Sequence, residues 1–398
     1  MGNKFGMFVH WGIHSILGEH EQALARLGMN NEEYEALAKQ FNPTEYDPEE
    51  WVLLAKNAGM KYICFTAKHH DGFCMWNTKY TDYNIMNTPY AKDVLKMLAD
   101  ACEKHGMLLS IYYSNPDWHH ENAFNSRSSH QWKCKNFNAG NMEIYKEYVK
   151  NQIRELLTNY GPIYTWFWDI PTCIKDPSMN ALIRSLQPDI LINDRGWGEK
   201  GDFSTPERVV PEGNRFEGMA EACQAVGEQS WGYRVDEDYY SLRFLKNSIC
   251  KIMGMGGSYL LNVGPMPSGK IDPKSESVIR DIGDWYRRTE GILEDSEPEP
   301  TPFFRLRRDE PVLKLRKNEK TYLCFYQGLD SSAVNIEYYP AWPKKVRFLN
   351  DGRELEVKKG YLPNYFEADG TSCGPHICIR GIPVDEFVHE PLIVEIEW

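Results

Sequence analysis

No apolar stretch of this 398-residue chain is long enough to cross a bilayer, which takes about 20 consecutive apolar residues. Positive charge is scarce too: 45 Lys and Arg stand against 57 Asp and Glu, a formal net charge of -12. A surface of that sign repels phosphate backbones and anionic lipid, which argues against nucleic acid and membrane as partners. The 10 cysteines form no CxxC pair and show no zinc-site spacing. Several sit inside apolar runs, Cys64 in YICF and Cys324 in YLCFY, where a free thiol behaves as a small buried hydrophobe. That usage suits a reducing compartment, so a cytoplasmic location is the expectation. The opening MGNKFGMFVHWG has no apolar h-region before a cleavage site. It enters a strand almost at once, so the alternative is a leader or first helix trimmed from its front and a periplasmic or secreted protein. Internal repeats and low-complexity tracts are absent, and nothing in the sequence sets an oligomeric state.

What is present suits a large packed core. Hydrophobic residues make up 42% and charged residues 26%, and the length accommodates one large barrel with a smaller domain. Aromatics reach 13%, with 12 Trp and 23 Tyr. They serve either core burial or a sugar site, where apolar sugar faces stack on rings.

The first three-quarters of the chain alternates short apolar runs with amphipathic helices, the pattern of βα units around a parallel sheet. Strands are expected at 5–11, 61–68, 108–114, 163–169, 190–194 and 258–264. Helices are expected at Asp47–Ala58 and Met142–Asn159, stopped by Gly59 and Gly161, and around Val278–Thr289. Continuous apolar strands mark a sheet buried on both faces. A doubly wound sheet would give the same alternation. A (β/α)8-like TIM barrel over residues 1–297 is preferred because polar residues gather at the C-terminal strand ends, where barrel active sites lie. An acidic, Pro-rich linker follows at about 293–304. Beyond it the apolar period becomes two, in VLKLRK, TYLCFYQ, KVRFLNDG, RELEVKK, HICIRGI and LIVEIEW. Asn350-Asp351-Gly352 is a hairpin turn signal, and residues 298–398 read as a C-terminal antiparallel β-sandwich.

The chemistry-bearing residues stand at the strand ends. His10 closes the first strand, His69-His70 the second and Tyr112 the third. Adjacent strand residues face opposite ways, so His69 and His70 serve one site only if the strand bends there. Asp169 ends a run of bulky aromatics, IYTWFWD, where a carboxylate is costly to bury unpaired. It therefore lies at an opening or is held by partners. Glycoside hydrolysis needs two carboxylates flanking the scissile bond. With Asp169 as one, Glu207 in DFSTPE is the natural candidate for the second, with Glu221, Glu217 and Glu228 as competitors. The segment from INDR to SWGY that carries them is expected to overhang the barrel mouth. Glu207 is favoured because its string leaves a strand end directly.

Taken in order, KFGMFVHWG, KHHDGF, YYSNPDWHH, NYGPI with the later WD, INDR, GDFSTPE, SWGY and YLLNVGP resemble the α-L-fucosidases of glycoside hydrolase family 29 over nearly the whole chain. The resemblance implies a barrel with a β-sandwich and retaining hydrolysis of fucosylated glycans, with no metal and no cofactor. By the same match Asp169 is the nucleophile, Glu207 the acid/base and Glu221 its alternative. His10, His69, His70 and Tyr112 hold fucose hydroxyls, Arg195 lies close to the nucleophile, and Trp231 packs on the C5 methyl. Glu21 joins the substrate-binding set from the first long loop. Three departures bear on the aglycone: Phe167-Trp168 before the nucleophile, Ile170-Pro171 in place of a Gly after it, and Glu21-Gln22 where Glu-Trp is usual. Two rival readings are a metal-dependent barrel hydrolase, with zinc on His10, His69, His70, His119 and His120, and a catalytically inactive fucose-binding protein.

Overall fold

The computed structural model describes residues 2–123, 133, 135, 140–172, 174–289, 291–299, 311–336, 341–360 and 376–398. Part of the expected linker, residues 300–304, lies outside them. Seven parallel strands form the first sheet: β1 (Phe5–Val9), β2 (Tyr62–Lys68), β3 (Leu108–Ser114), β4 (Ile163–Asp169), β5 (Leu191–Ile192), β6 (Glu221–Ala225) and β7 (Ser258–Val263). Their order, β5-β4-β3-β2-β1-β7-β6, follows the chain around a barrel wall. Every residue of β1, β2 and β7 is buried, which is why these strands read as unbroken apolar runs.

Between β5 and β6 the wall is completed by an irregular segment. Phe203 bridges Asn193 of the β5 side, while Ser204 and Glu207 bridge Ala220 and Cys223 of the β6 side, all in parallel sense. Pro206 has no N–H to give a ladder, but its carbonyl accepts from Cys223 N at 2.9 Å. Ahead of it, a Cβ at Gly201 would stand 2.2 Å from the Asn193 backbone, so only glycine permits this approach. Asp202, in the same segment, takes both guanidinium contacts of one Arg184 nitrogen at 3.0 and 2.9 Å and holds the turn.

Two of the three expected helices start and stop where the sequence marks them, whereas the one expected around Val278–Thr289 begins earlier, at Pro273 after its cap Asp272, and runs to Arg288. Asp47 caps Pro48–Asn57 through Glu49 N, Asn141 caps Met142–Asn159 through Glu143 N, and Gly59 and Gly161 take positive φ just beyond their ends. Ile292–Asp295, which overlaps the start of the linker expected at about 293–304, forms a short helix instead, and Glu297–Pro298 pair with the C-terminal sheet as β8. Among the described residues no helix is long and apolar enough to cross a membrane.

The C-terminal part is two antiparallel sheets. One runs β12 (Lys345–Phe348), β15 (Leu392–Glu397), β10 (Lys320–Phe325), β9 (Leu313–Lys317) and β8; the other runs β11 (Ala333–Ile336), β14 (His376–Arg380) and β13 (Glu356–Gly360). Alternation gives β10 two apolar faces. Leu323 and Phe325 join Val334, Ile336, Ile377 and Ile379 of the smaller sheet in the sandwich core. Tyr322 and Cys324 join the barrel's own core instead. The sandwich thus seats on the barrel flank, where Arg288 also forks onto both Glu390 oxygens at 3.0 and 2.7 Å.

Candidate active site

Period-two alternation aims one residue in two from each strand into the barrel. Phe8 and His10 follow from β1, Tyr112 from β3, and Phe167 and Asp169 from β4, and all line one pocket of about 170 Å³. Trp168 points the other way, into the outer core, and gives its indole N–H to Asn180 at 3.0 Å. The bend required of the tandem histidines is a register shift between Thr66 and Lys68, after which both His69 and His70 line the pocket. Behind them Lys68 is buried against Asp117 at 2.9 Å with its ammonium over the Tyr113 ring. Such a pair, closed by aromatic faces, pins the end of β2 at the pocket rim.

Asp169 is held by three side chains. Tyr112 donates its hydroxyl to Oδ2 at 2.7 Å, Arg195 donates to Oδ1 at 3.0 Å, and His70 Nε2 stands 3.8 Å from Oδ2. Burial pushes its carboxyl up, but His70, Arg195 and the Tyr112 hydroxyl outweigh burial and leave it below the usual aspartate range. Asp169 therefore stays ionised at neutral pH in a nearly dry setting.

The same nitrogen of Arg195 also donates to Glu207 Oε2 at 2.8 Å, and the other terminal nitrogen donates to the Thr205 carbonyl at 2.7 Å. One nitrogen 3.0 Å from Asp169 Oδ1 and 2.8 Å from Glu207 Oε2 puts those oxygens less than about 6 Å apart. Asp169 is the enclosed member and Glu207, with 42% of its side chain exposed, the one open to water. Between two carboxylates the guanidinium is held firmly charged, Asp169 and Glu207 outweighing its burial.

Glu221 does not belong to this site. The segment before SWGY is not an overhang but strand β6, and Glu221 begins it, paired with Ser258 at the N-terminal end of β7. Its Oε2 accepts from Tyr62 at 2.5 Å, Tyr62 being the first residue of β2, and Oε1 has no partner among the described residues. A barrel active site opens at the other end of these strands, so Glu221 sits on the barrel floor. Glu217 and Glu228 are exposed and line no part of the pocket.

The remaining residues form the sugar-sized wall. Asn262 commits its amide nitrogen to the Trp231 carbonyl at 2.6 Å, so its oxygen accepts from His10 Nδ1 at 2.6 Å. His10 then carries its proton on Nδ1 and leaves Nε2 an acceptor, and burial lowers its pKa to about 4, so the ring is neutral at pH 7. Trp231 stacks on His10, ring centroids 5.4 Å apart, and lies under the Arg208 guanidinium at 4.4 Å. Glu21 is buried, and its Oε2 accepts from Ser230 Oγ and Trp231 N at 2.9 Å and from Gly232 N at 3.3 Å. Burial raises its pKa, but His20, His10 and the Ser230 hydroxyl outweigh that and hold it at about 2. Glu21 thus ties the first loop to the Trp231 loop as well as lining the pocket.

Sequence reasoning missed Phe8, Cys223 and Arg208 here, whereas Gln22, marked as a departure bearing on the aglycone, does line the pocket. Alternation along FVH marks Phe8 in hindsight, whereas no local signal marks Cys223 or Arg208. The five histidines of the zinc reading do not converge. His119 stacks on Tyr83 and pairs with Glu35, His120 packs against Tyr145 and Tyr148, and neither lines the pocket. Among the described residues no three His, Cys, Asp or Glu side chains are grouped as a metal site.

The Alpha-L-fucosidase family model matches residues 1–290. An α-L-fucosidase of Branchiostoma floridae is 27% identical over 71% of this chain and 69% of its own. Tissue α-L-fucosidase of Rattus norvegicus is 25% identical over 84% and 77%. The solved structure of α-L-fucosidase isoenzyme 1 from Paenibacillus thiaminolyticus superposes with a TM-score of 0.83 at 27% identity, covering 99% of this chain and 96% of that one. That of α-L-fucosidase from Vibrio sp. strain EJY3 gives 0.84 at 25% identity, over 100% and 71%. With the family model spanning the whole parallel barrel and the pocket at its C-terminal end, this chain belongs to the α-L-fucosidase family of glycoside hydrolases.

Proposed function

We propose that the protein is an exo-acting, retaining α-L-fucosidase that releases terminal α-L-fucose from oligosaccharides or glycoconjugates. The observation that carries the mechanism is the shared Arg195 nitrogen, which brings carboxylate oxygens of Asp169 and Glu207 within about 6 Å. Retaining glycosidases keep their carboxyls roughly 5–5.5 Å apart, whereas inverting ones need roughly 6.5–9.5 Å to admit a water. The ionised, desolvated Asp169 attacks C1 as the C1–oxygen bond breaks, and Glu207 gives a proton to the departing oxygen. Glu207 then takes a proton from water as that water attacks C1, which frees fucose and restores Asp169. Arg195 and the Tyr112 hydroxyl hold the nucleophile in place through both steps.

The pocket's floor supports the exo reading. Phe8, Tyr112, Phe167 and Cys223 close the barrel beneath it as one buried cluster, so a terminal sugar enters and a chain cannot thread through. In this reading His10 Nε2, His69, His70 and Glu21, which line the pocket, bind the hydroxyls, and Trp231 offers the apolar surface for the C5 methyl. The decisive test follows hydrolysis of an aryl α-L-fucoside by proton NMR. The α-anomer of fucose appears first if the mechanism retains, and β-fucose as first product refutes it.

A further inference from the structure

The residue after the nucleophile is in conflict with its own backbone. Ile170 holds φ at +56°, a region that a β-branched side chain avoids because its Cβ crowds the backbone. Asn115, itself buried, clamps the turn: its side-chain nitrogen donates to the carbonyls of Ile170 and Arg195, both at 3.0 Å, and its backbone N donates to the Asp169 carbonyl at 3.0 Å. All of these bonds end on backbone carbonyls. A glycine at 170 would keep every one and adopt the conformation freely. The isoleucine side chain is not repaid in core packing either. Half-buried, it joins none of the three hydrophobic clusters among the described residues, yet the residue lines the catalytic pocket beside Gln22 and Glu207.

The position has a geometric consequence. With Asp169 as nucleophile, a bound sugar ring would lie inward, toward His10, His69 and Tyr112, with C1 at Asp169. The acid must reach the glycosidic oxygen from Glu207. The leaving group therefore emerges between Glu207 and the residue next to Asp169. We infer that Ile170 is a specificity-determining residue, the apolar wall of the leaving-group side. It selects aglycones that present an apolar face, such as an aromatic ring or the methyl of an acetamido sugar, over evenly hydroxylated ones. This rests on reading Asp169 and Glu207 as the catalytic pair. Strain retained at such a place, with no packing to justify it, is the mark of a functional constraint.

The test compares kcat/KM of wild type, Ile170→Gly and Ile170→Val on three substrates. These are fucosyl fluoride, which has no aglycone surface, an aryl fucoside, and a fucosyl disaccharide whose second sugar carries hydroxyls only. Ile170→Gly is expected to stay within about twofold on the fluoride, lose about tenfold on the aryl fucoside and hold or gain on the disaccharide, with no fall in melting temperature. Ile170→Val restores most of the aryl preference. An aryl-to-disaccharide ratio that does not move overturns the inference, as does a fall on fluoride and aryl fucoside together, which would make Ile170 a support for the nucleophile only. Asp169→Gly run alongside separates the two levels. If that variant stays active on the fluoride, the catalytic pair itself is misread, whereas a dead Asp169→Gly with an unmoved ratio removes only the role of Ile170.

Discussion

Replacing Glu221 by Gln separates floor from active site and has a sign set by the structure. Glu221 is fully buried with one oxygen on Tyr62 and the other unpartnered, and burial raises its pKa from 4.5 to about 7. A carboxyl whose folded-state pKa lies above its unfolded value favours folding only while it can stay protonated. Its contribution is whole below about pH 4.5, declines as pH rises, and is gone once pH exceeds about 7. A shift from 4.5 to about 7, at 1.36 kcal/mol per unit, amounts to about 3 kcal/mol of charge-burial cost in the wild type at pH 8. Gln keeps the shape and the bond from Tyr62 without that charge. Glu221→Gln is therefore expected to match wild type within about 1 kcal/mol at pH 4.5 and to exceed it by about 3 kcal/mol at pH 8. Urea unfolding at both pH values reads this directly. Activity on an aryl fucoside is expected to be near wild type, since Glu221 lines no part of the pocket. Equal stability differences at the two pH values refute the burial argument. A variant that folds but turns over only with added azide refutes the floor position and returns the acid/base role to Glu221.

Three further outcomes follow from the site. Asp169→Asn keeps the contacts of Tyr112 and lowers kcat by several orders of magnitude with little change in melting temperature, measured on an aryl fucoside. Glu207→Ala slows substrates with poor leaving groups far more than activated aryl fucosides, and azide restores turnover by replacing the base-assisted water; equal losses on both substrate types would remove Glu207 from the acid role. Sugar affinity falls as pH drops through about 4, because protonation of His10 takes away its Nε2 acceptor; titration calorimetry with an uncharged fucose analogue checks the midpoint.

The chain's apolar periodicity alone determined most of this architecture. Buried parallel strands must read as unbroken apolar runs, and KYICFTAK, LLSIYYS and IYTWFWD became β2, β3 and β4 within a residue of their marked ends. The change to period two foretold the sandwich, because each of its strands divides its residues between two surroundings. Asp169 was legible because a carboxylate ending an aromatic strand has few tolerable environments. What stayed hidden was set by contacts between distant segments. EACQA carries no apolar run, since β6 interleaves Glu221 and Gln224 with two alanines and a cysteine, so Glu221 could not be told from a loop acid. The bridges of 203–207 that complete the wall carry no pattern, because Pro206 breaks the ladder and isolated pairings on either side replace it. The choice of Glu207 over Glu221 rests on one Arg195 nitrogen touching two carboxylates from different segments. The conformation of Ile170 rests on a clamp from Asn115, 55 residues away in the chain. Local sequence encodes which face of an element is apolar, but which side chains meet at the end of a barrel depends on strand register and closure, and those are decided only when the whole wall forms.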